Sequence, residues 1–186
     1  MKQIAEPPFG DALAEGLALN RFEGLNNEPD MEVPWAYHYV GRPDRTAEVV
    51  HAVLRSAFGT GRGGLPGNDD SGGLSSWYVW ASIGLFPVAG QSLFLVNAPS
   101  FDHTSIQVPG GEFVIEAEGL HDLGPDDPPF YVQSVTLDGE PLDRSWITGR
   151  EMHRPGRLVV SLGPDPSNWG TGRRPPSGSS RPTPLN

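Results

Sequence analysis

Gly67-Asn68-Asp69-Asp70-Ser71-Gly72 runs straight into Gly73-Leu74-Ser75-Ser76-Trp77-Tyr78-Val79-Trp80-Ala81, and the pattern stops at Leu85-Phe86-Pro87. Leu74, Trp77, Tyr78, Ala81 and Leu85 recur at helical spacing, which predicts a helix from Leu74 to Leu85. After Pro87 the period changes to that of short strands. Helices come first and strands second, so the chain reads as α+β with a boundary near residue 88.

Upstream, Val49, Val50, Val53, Leu54, Ala57 and Phe58 form the stripe of an amphipathic helix that Asp44 caps. Pro34 suits the first turn of a helix over Val33–Val40, and Gly41-Arg42-Pro43 breaks it. A short helix over Asp11–Leu19, capped by Asp11, is also predicted. Downstream, strands are predicted at residues 93–97, 105–108, 112–117, 131–137 and 157–162. Asp138-Gly139 supplies a tight hairpin turn. Residues 1–88 and 89–172 are expected to form two units, and 173–186 a disordered tail rich in proline, serine, glycine and arginine.

The opening stretch places an amide, two carboxylates and a hydroxyl in four consecutive positions, Asn68 to Ser71. Such hard oxygen donors suit a divalent cation, a sugar or an activated water. The same residues also suit an ordinary helix-capping turn. Asn26-Asn27-Glu28-Pro29-Asp30 offers a second oxygen-rich loop, about forty positions upstream, and it too can be a plain solvated turn. Two such loops, each preceding a helix, can meet at one end of a helical array.

The bulk composition narrows the partners. The 186 residues carry a formal charge of -10, which speaks against a nucleic-acid partner. Cysteine is absent, so disulfides and thiolate chemistry are excluded. No stretch approaches the length of a membrane-spanning helix, and the first residues show no apolar signal region. The five tryptophans include Trp77 on the helical stripe, where a core role is expected. The five histidines never fall at a metal-ligand spacing, and no P-loop, dinucleotide fingerprint or Gly-x-Ser-x-Gly elbow is present.

Taken in order, Asn27-Glu28-Pro29-Asp30, Gly67 to Gly72, Ser75-Ser76-Trp77-Tyr78-Val79, Gly84-Leu85-Phe86-Pro87-Val88, Gln133 to Gly139 and Leu142 to Ile147 resemble glycoside hydrolase family 92. These are calcium-dependent exo-acting alpha-mannosidases, and the similarity covers roughly residues 20 to 170. The resemblance implies that residues 20 to 87 are the last helices of an (α/α)6 toroid and that the later strands belong to a β-sandwich. It implies inverting hydrolysis of terminal alpha-mannose, with calcium holding the vicinal hydroxyls of the sugar. On the matched positions, Asn27, Glu28 and Asp70 are implied metal ligands and Asp70 the general base. Asn68 stands where some members carry a second acid and would orient rather than deprotonate; Asp69 is a supporting, substrate-side candidate.

The family's general acid lies in an aromatic-rich motif upstream of Asn27, and no glutamate here matches it: Glu6, Glu15 and Glu23 lie in the wrong context. The chain therefore resembles the C-terminal part of a longer enzyme, with the missing N-terminal portion as a partner and a mannose-containing glycan as ligand. The family usually acts outside the cytoplasm, so an extracellular or periplasmic site is implied. A non-catalytic calcium-dependent carbohydrate-binding module and an inactive remnant are the alternatives.

Overall fold

The computed structural model of the protein describes residue 25 and residues 28–120 and 130–177. The helix expected over residues 11–19 and the ligand candidate Asn27 lie outside them, as do the side chain of Glu28 and residues 178–186 of the expected tail.

A 3-10 turn at Glu28–Asp30 leads into a 3-10 helix at Val33–Val40. The bounds are those expected, but the winding is tighter. Trp35 and His38, three apart, are both fully buried, and three residues per turn puts them on one face. Gly41 ends the helix at φ 74°, donating its N–H to the His38 carbonyl. Helix α1 spans Pro43–Ser56 and begins one residue before Asp44. Asp44 does not cap it: the acid sits in the first turn and accepts a 2.6 Å bond from Arg42. The stripe of Val49, Val50 and Val53 is buried as expected.

Helix α2 spans Gly73–Ser82, shorter than expected at its C-terminal end. Gly84 adopts φ 79°, a left-handed conformation that stops the helix. A Cβ there would lie 2.8 Å from the Asn97 carbonyl oxygen, so the position also needs glycine for close approach. Leu85–Pro87 is consequently strand β1 and not the last helical turn. Leu74, Trp77 and Ala81 are buried, whereas Tyr78 is exposed and leaves the expected stripe.

The strands form two sheets. β1, β2 (Leu93–Val96) and β7 (Trp146–Thr148) make a three-stranded antiparallel sheet in the order β1-β2-β7. The second sheet has five strands: β3 (His103–Val108), β4 (Gly111–Glu118), β8 (Gly156–Gly163), β5 (Tyr131–Leu137) and β6 (Glu140–Pro141), in that spatial order. Among these strands β4 and β8 pair in parallel, and the other pairs are antiparallel. The β5–β6 hairpin turns at Asp138 and Gly139, both left-handed at φ 54° and 84°, the signature of the turn that the sequence predicted. A short helix α3, Gly149–Met152, starts with a capping box: Thr148 Oγ1 accepts from the Glu151 N–H, and Glu151 accepts from the Thr148 N–H.

Strand β2 explains the layering. Phe94 and Val96 point into a core with Phe113, Ile115, Val135, Leu158 and Val160 of the larger sheet. Leu93 and Leu95 point the other way, among Trp35, Val50, Val53, Leu74 and Trp77 of the helices. A strand buried on both faces reads as an unbroken apolar run, as Leu93-Phe94-Leu95-Val96 does. The molecule is thus α+β in three layers, helices on a small sheet on a larger sheet, and the small sheet spans residue 88 as a layer common to both parts. Residues 173–177 stay with this body: Arg173 bridges to Arg144, its guanidinium lies 5.3 Å over the Trp146 ring, and Pro175 is buried.

Candidate functional site

The Gly67–Gly72 turn sits at the N-terminal end of α2. Asp70, Ser71 and Gly72 are all left-handed, at φ 37°, 67° and 89°. Each non-glycine residue held there costs roughly 1–3 kcal/mol, and such residues cluster at functional sites. Asn68, Asp70 and Ser71 are exposed and Asp69 is half-exposed.

Asp69 pins the turn from below. Its backbone carbonyl accepts the Gly73 N–H at 2.6 Å. Its Oδ1 accepts the Ser75 N–H at 2.8 Å, and its Oδ2 accepts the Ser75 hydroxyl at 2.7 Å. The capping expected of Asp70 and Ser71 is therefore done by Asp69, while the residue at the cap position, Gly72, has no side chain to give. The Ser75 hydroxyl, then the Ser75 backbone N–H, hold the Asp69 carboxyl below the usual carboxylate range. Asp70 is exposed on the strained part of the turn.

Met31, one position past the second oxygen-rich loop, contacts α2. The Trp77 indole N–H donates to the Met31 carbonyl at 2.8 Å across 46 positions of sequence. The Met31 methyl carbon lies 3.1 Å from where a Cβ on Gly73 would stand. Met31 is thereby laid against the first turns of α2, at Gly73 and Trp77. Among the described residues no group of three His, Asp or Glu side chains gathers as a metal centre. The donors that this end of the molecule presents are oxygens, from an amide, a carboxylate and a hydroxyl at Asn68, Asp70 and Ser71, a set whose chemistry fits calcium.

Trp77 is buried as expected, stacked on Phe58 at 5.8 Å with its edge toward Trp35 at 6.3 Å. Trp35 and Trp146 are buried too, and Trp80 and Trp169 are half-buried. The histidines stay out of the site. His38 is fully buried and burial lowers its pKa to about 3. His51 is lowered to about 4 by burial, then by the charge of Arg55. It lines a cavity of about 170 Å³ with Val50, Leu54, Pro99 and Phe130, and no expected site residue borders it. The sequence assigns no role to Met31, Gly73 or Ser75; the Trp77 stripe is the legible sign that this helix start is held from within.

Comparison with known proteins follows the same segments. Residues 14–164 match the glycosyl hydrolase family 92 catalytic domain. A protein of Arthroderma benhamiae described as an uncharacterized secreted glycosidase is 36% identical over 156 residues, which are 82% of this chain and 20% of the relative. A family GH92 alpha-mannosidase from Bacteroides thetaiotaomicron, solved with mannoimidazole, shares the fold at a TM-score of 0.74 and 24% identity, over 83% of this chain and 20% of its own. A family GH92 inverting mannosidase from the same bacterium reaches 0.72 at 29% identity, over 86% of this chain and 22% of its own. The chain spans about a fifth of the length of these relatives.

Proposed function

The chain belongs to glycosyl hydrolase family 92, and from that premise we propose that it is the C-terminal, base-bearing part of a calcium-dependent inverting alpha-mannosidase acting on terminal alpha-mannosides of glycans. The observation that carries the reading is the family match over residues 14–164, which takes in both oxygen-rich loops and the strained turn. The secreted relative supports a place of action outside the cytoplasm. No helix among the described residues is long and apolar enough to cross a membrane.

Inversion needs a carboxylate that takes a proton from water on one face of the sugar. It also needs an acid, about 6.5–9.5 Å away, that protonates the leaving oxygen on the other face. Asp70 is the base. It lies two positions before Gly72, the cap residue of α2, where a helix dipole favours negative charge. Asn68 beside it orients the water, since an amide accepts and donates hydrogen bonds but takes no proton at neutral pH. Asp69, with both carboxylate oxygens on Ser75, supports the turn rather than the sugar. Asn27, Glu28 and Asp70 are the residues that would hold calcium; bound there, the ion would supply charge that binds the vicinal hydroxyls of mannose and favours a distorted ring.

On this reading the acid is supplied by the rest of the enzyme, since no glutamate here matches the family's acid motif. A general acid has to be kept protonated at neutral pH by a dry site, which raises its pKa. Hydrogen bonds and ion pairs hold Asp44, Asp69, Glu112, Asp138 and Glu151 below the usual carboxylate range, so none of these five suits that task. The lack of a glutamate that matches the acid motif favours a second reading, a carbohydrate-binding module that recognises mannose with calcium and does not cleave it. Mannose release from alpha-1,2-linked mannobiose by the purified chain, with calcium and with a chelator, tests the assignment. Neither condition releases mannose on this reading, and chelator-sensitive release would put the acid inside the chain. Calcium-dependent mannose binding that Asp70→Ala abolishes, with no turnover after the remaining polypeptide is supplied, would select the binding module.

A further inference from the structure

We propose that Tyr78 is a sugar-binding residue, its ring the platform on which the sugar unit next to the terminal mannose rests. This role rests on the reading of Asp70 as the base and extends that site by one sugar along the glycan.

Tyr78 belongs to the helical stripe by spacing but not by burial: Trp77 beside it is 2% exposed, whereas Tyr78 is 42% exposed. The exposed ring is nonetheless held. Phe58 stacks on Trp77 at 5.8 Å and meets the Tyr78 ring at 5.0 Å, so three aromatic rings run from the core to the surface. A side chain fixed from behind has little freedom left to lose when a ligand covers it, and tyrosine gives up few rotamers in any case. Position on the helix sets Tyr78 beside the strained turn. It follows Ser75 by three positions in α2, and residues three apart on a helix are neighbours, about 5–6 Å between Cβ atoms. Ser75 is the residue that the Asp69 carboxylate grips, and Asp70 comes directly after Asp69.

The chemistry of this face fits a neutral sugar. Helix α2 has no charged residue along Gly73–Ser82, and Ser75, Ser76, Tyr78 and Val79 are exposed on it. An aromatic face bordered by hydroxyls and free of charge complements a ring with an apolar C–H face and a rim of hydroxyl groups. One sugar unit is roughly as long as one helical turn, about 5.4 Å. A sugar linked to a mannose held at the turn therefore reaches the next turn of α2, where Tyr78 stands.

The test is a titration of the full chain in calcium buffer with methyl alpha-mannoside and with alpha-1,2-linked mannobiose, followed by broadening of the sugar proton signals. The native chain is expected to bind the disaccharide more tightly than the monosaccharide. Tyr78→Ala should weaken mannobiose binding about tenfold, the effect of losing roughly 50 Å² of covered apolar ring surface, and leave methyl alpha-mannoside binding unchanged. Tyr78→Phe keeps the ring and should stay within about twofold of the native chain. Circular dichroism confirms that both variants keep the fold. Mannobiose affinity that ignores Tyr78→Ala overturns the proposal, and so does equal weakening of both sugars. If methyl alpha-mannoside binds and mannobiose binds no more tightly, the mannoside reading stands and the platform is overturned. If the native chain binds neither sugar, the mannoside reading of this chain fails and the platform falls with it.

Discussion

The carboxylate of Asp69 holds Ser75 twice, by its backbone N–H at 2.8 Å and by its hydroxyl at 2.7 Å. This clamp lets the next two residues, Asp70 and Ser71, sit in left-handed conformations that side chains rarely adopt. Removal of the clamp is expected to relax the turn before it disturbs the core. Asp69→Ala should lower the melting temperature and speed amide exchange over residues 69–76, with slower exchange retained in β4 and β8. Its pH dependence has a fixed sign. The folded carboxyl is depressed, so its stabilisation is complete above the unfolded value of about 3.9 and is lost as pH falls through the folded value. Native chain and Asp69→Ala should differ in stability at pH 7, and the gap should narrow as pH falls below about 3.9, as read by thermal melts. A constant gap down to pH 2 would contradict the clamp.

Leu95 tests the layering. It is 1% exposed and faces the helices from the middle strand of the small sheet. Leu95→Ala should cost about 2–5 kcal/mol, the range for a truncated core leucine. Urea denaturation measures it. A loss below about 1 kcal/mol would mean that the helices do not rest on that sheet.

His38 predicts acid lability. It is fully buried, and neither ring nitrogen has a partner among the described residues. Burial takes its pKa from 6.5 to about 3. The unfolded chain therefore binds a proton that the folded one refuses between those values, and stability falls as pH drops below about 6.5. One such group contributes about 1.4 kcal/mol per pH unit over the steep part of the range. His51, lowered to about 4, acts in the same direction. Urea midpoints measured from pH 7 to pH 4.5 should slope accordingly, and His38→Phe should flatten the slope by about one proton.

Local signals in the sequence translated well where chemistry fixes the backbone. Asp138-Gly139 adopts the left-handed pair that its hairpin needs, and Leu93-Phe94-Leu95-Val96 is the doubly buried strand that its unbroken apolar run suggests. Elements decided by distant neighbours were not legible. Leu85–Pro87 carries the helical spacing of the residues before it, yet Gly84 turns it into a strand because Asn97 comes too close for a Cβ. Trp146–Thr148 is three residues long and becomes a strand only by pairing with β2. At the site, residue types identified the turn, but spacing could not say which acid caps. The φ angles at 70 and 71 and the hydroxyl of Ser75 assign that task to Asp69. The bond between Trp77 and Met31 joins positions 46 apart and has no local signature.

The base assignment makes the sharpest demand on the account. Mannose release from alpha-1,2-linked mannobiose should be measured for this chain combined with the remaining polypeptide of a family 92 mannosidase, as the native sequence and as Asp70→Asn, with calcium and with a chelator. The account predicts calcium-dependent release from the native combination and a loss of about 10²–10⁴-fold in Asp70→Asn, the scale of a removed general base. Release that continues at the native rate in Asp70→Asn, or that ignores the chelator, would contradict it.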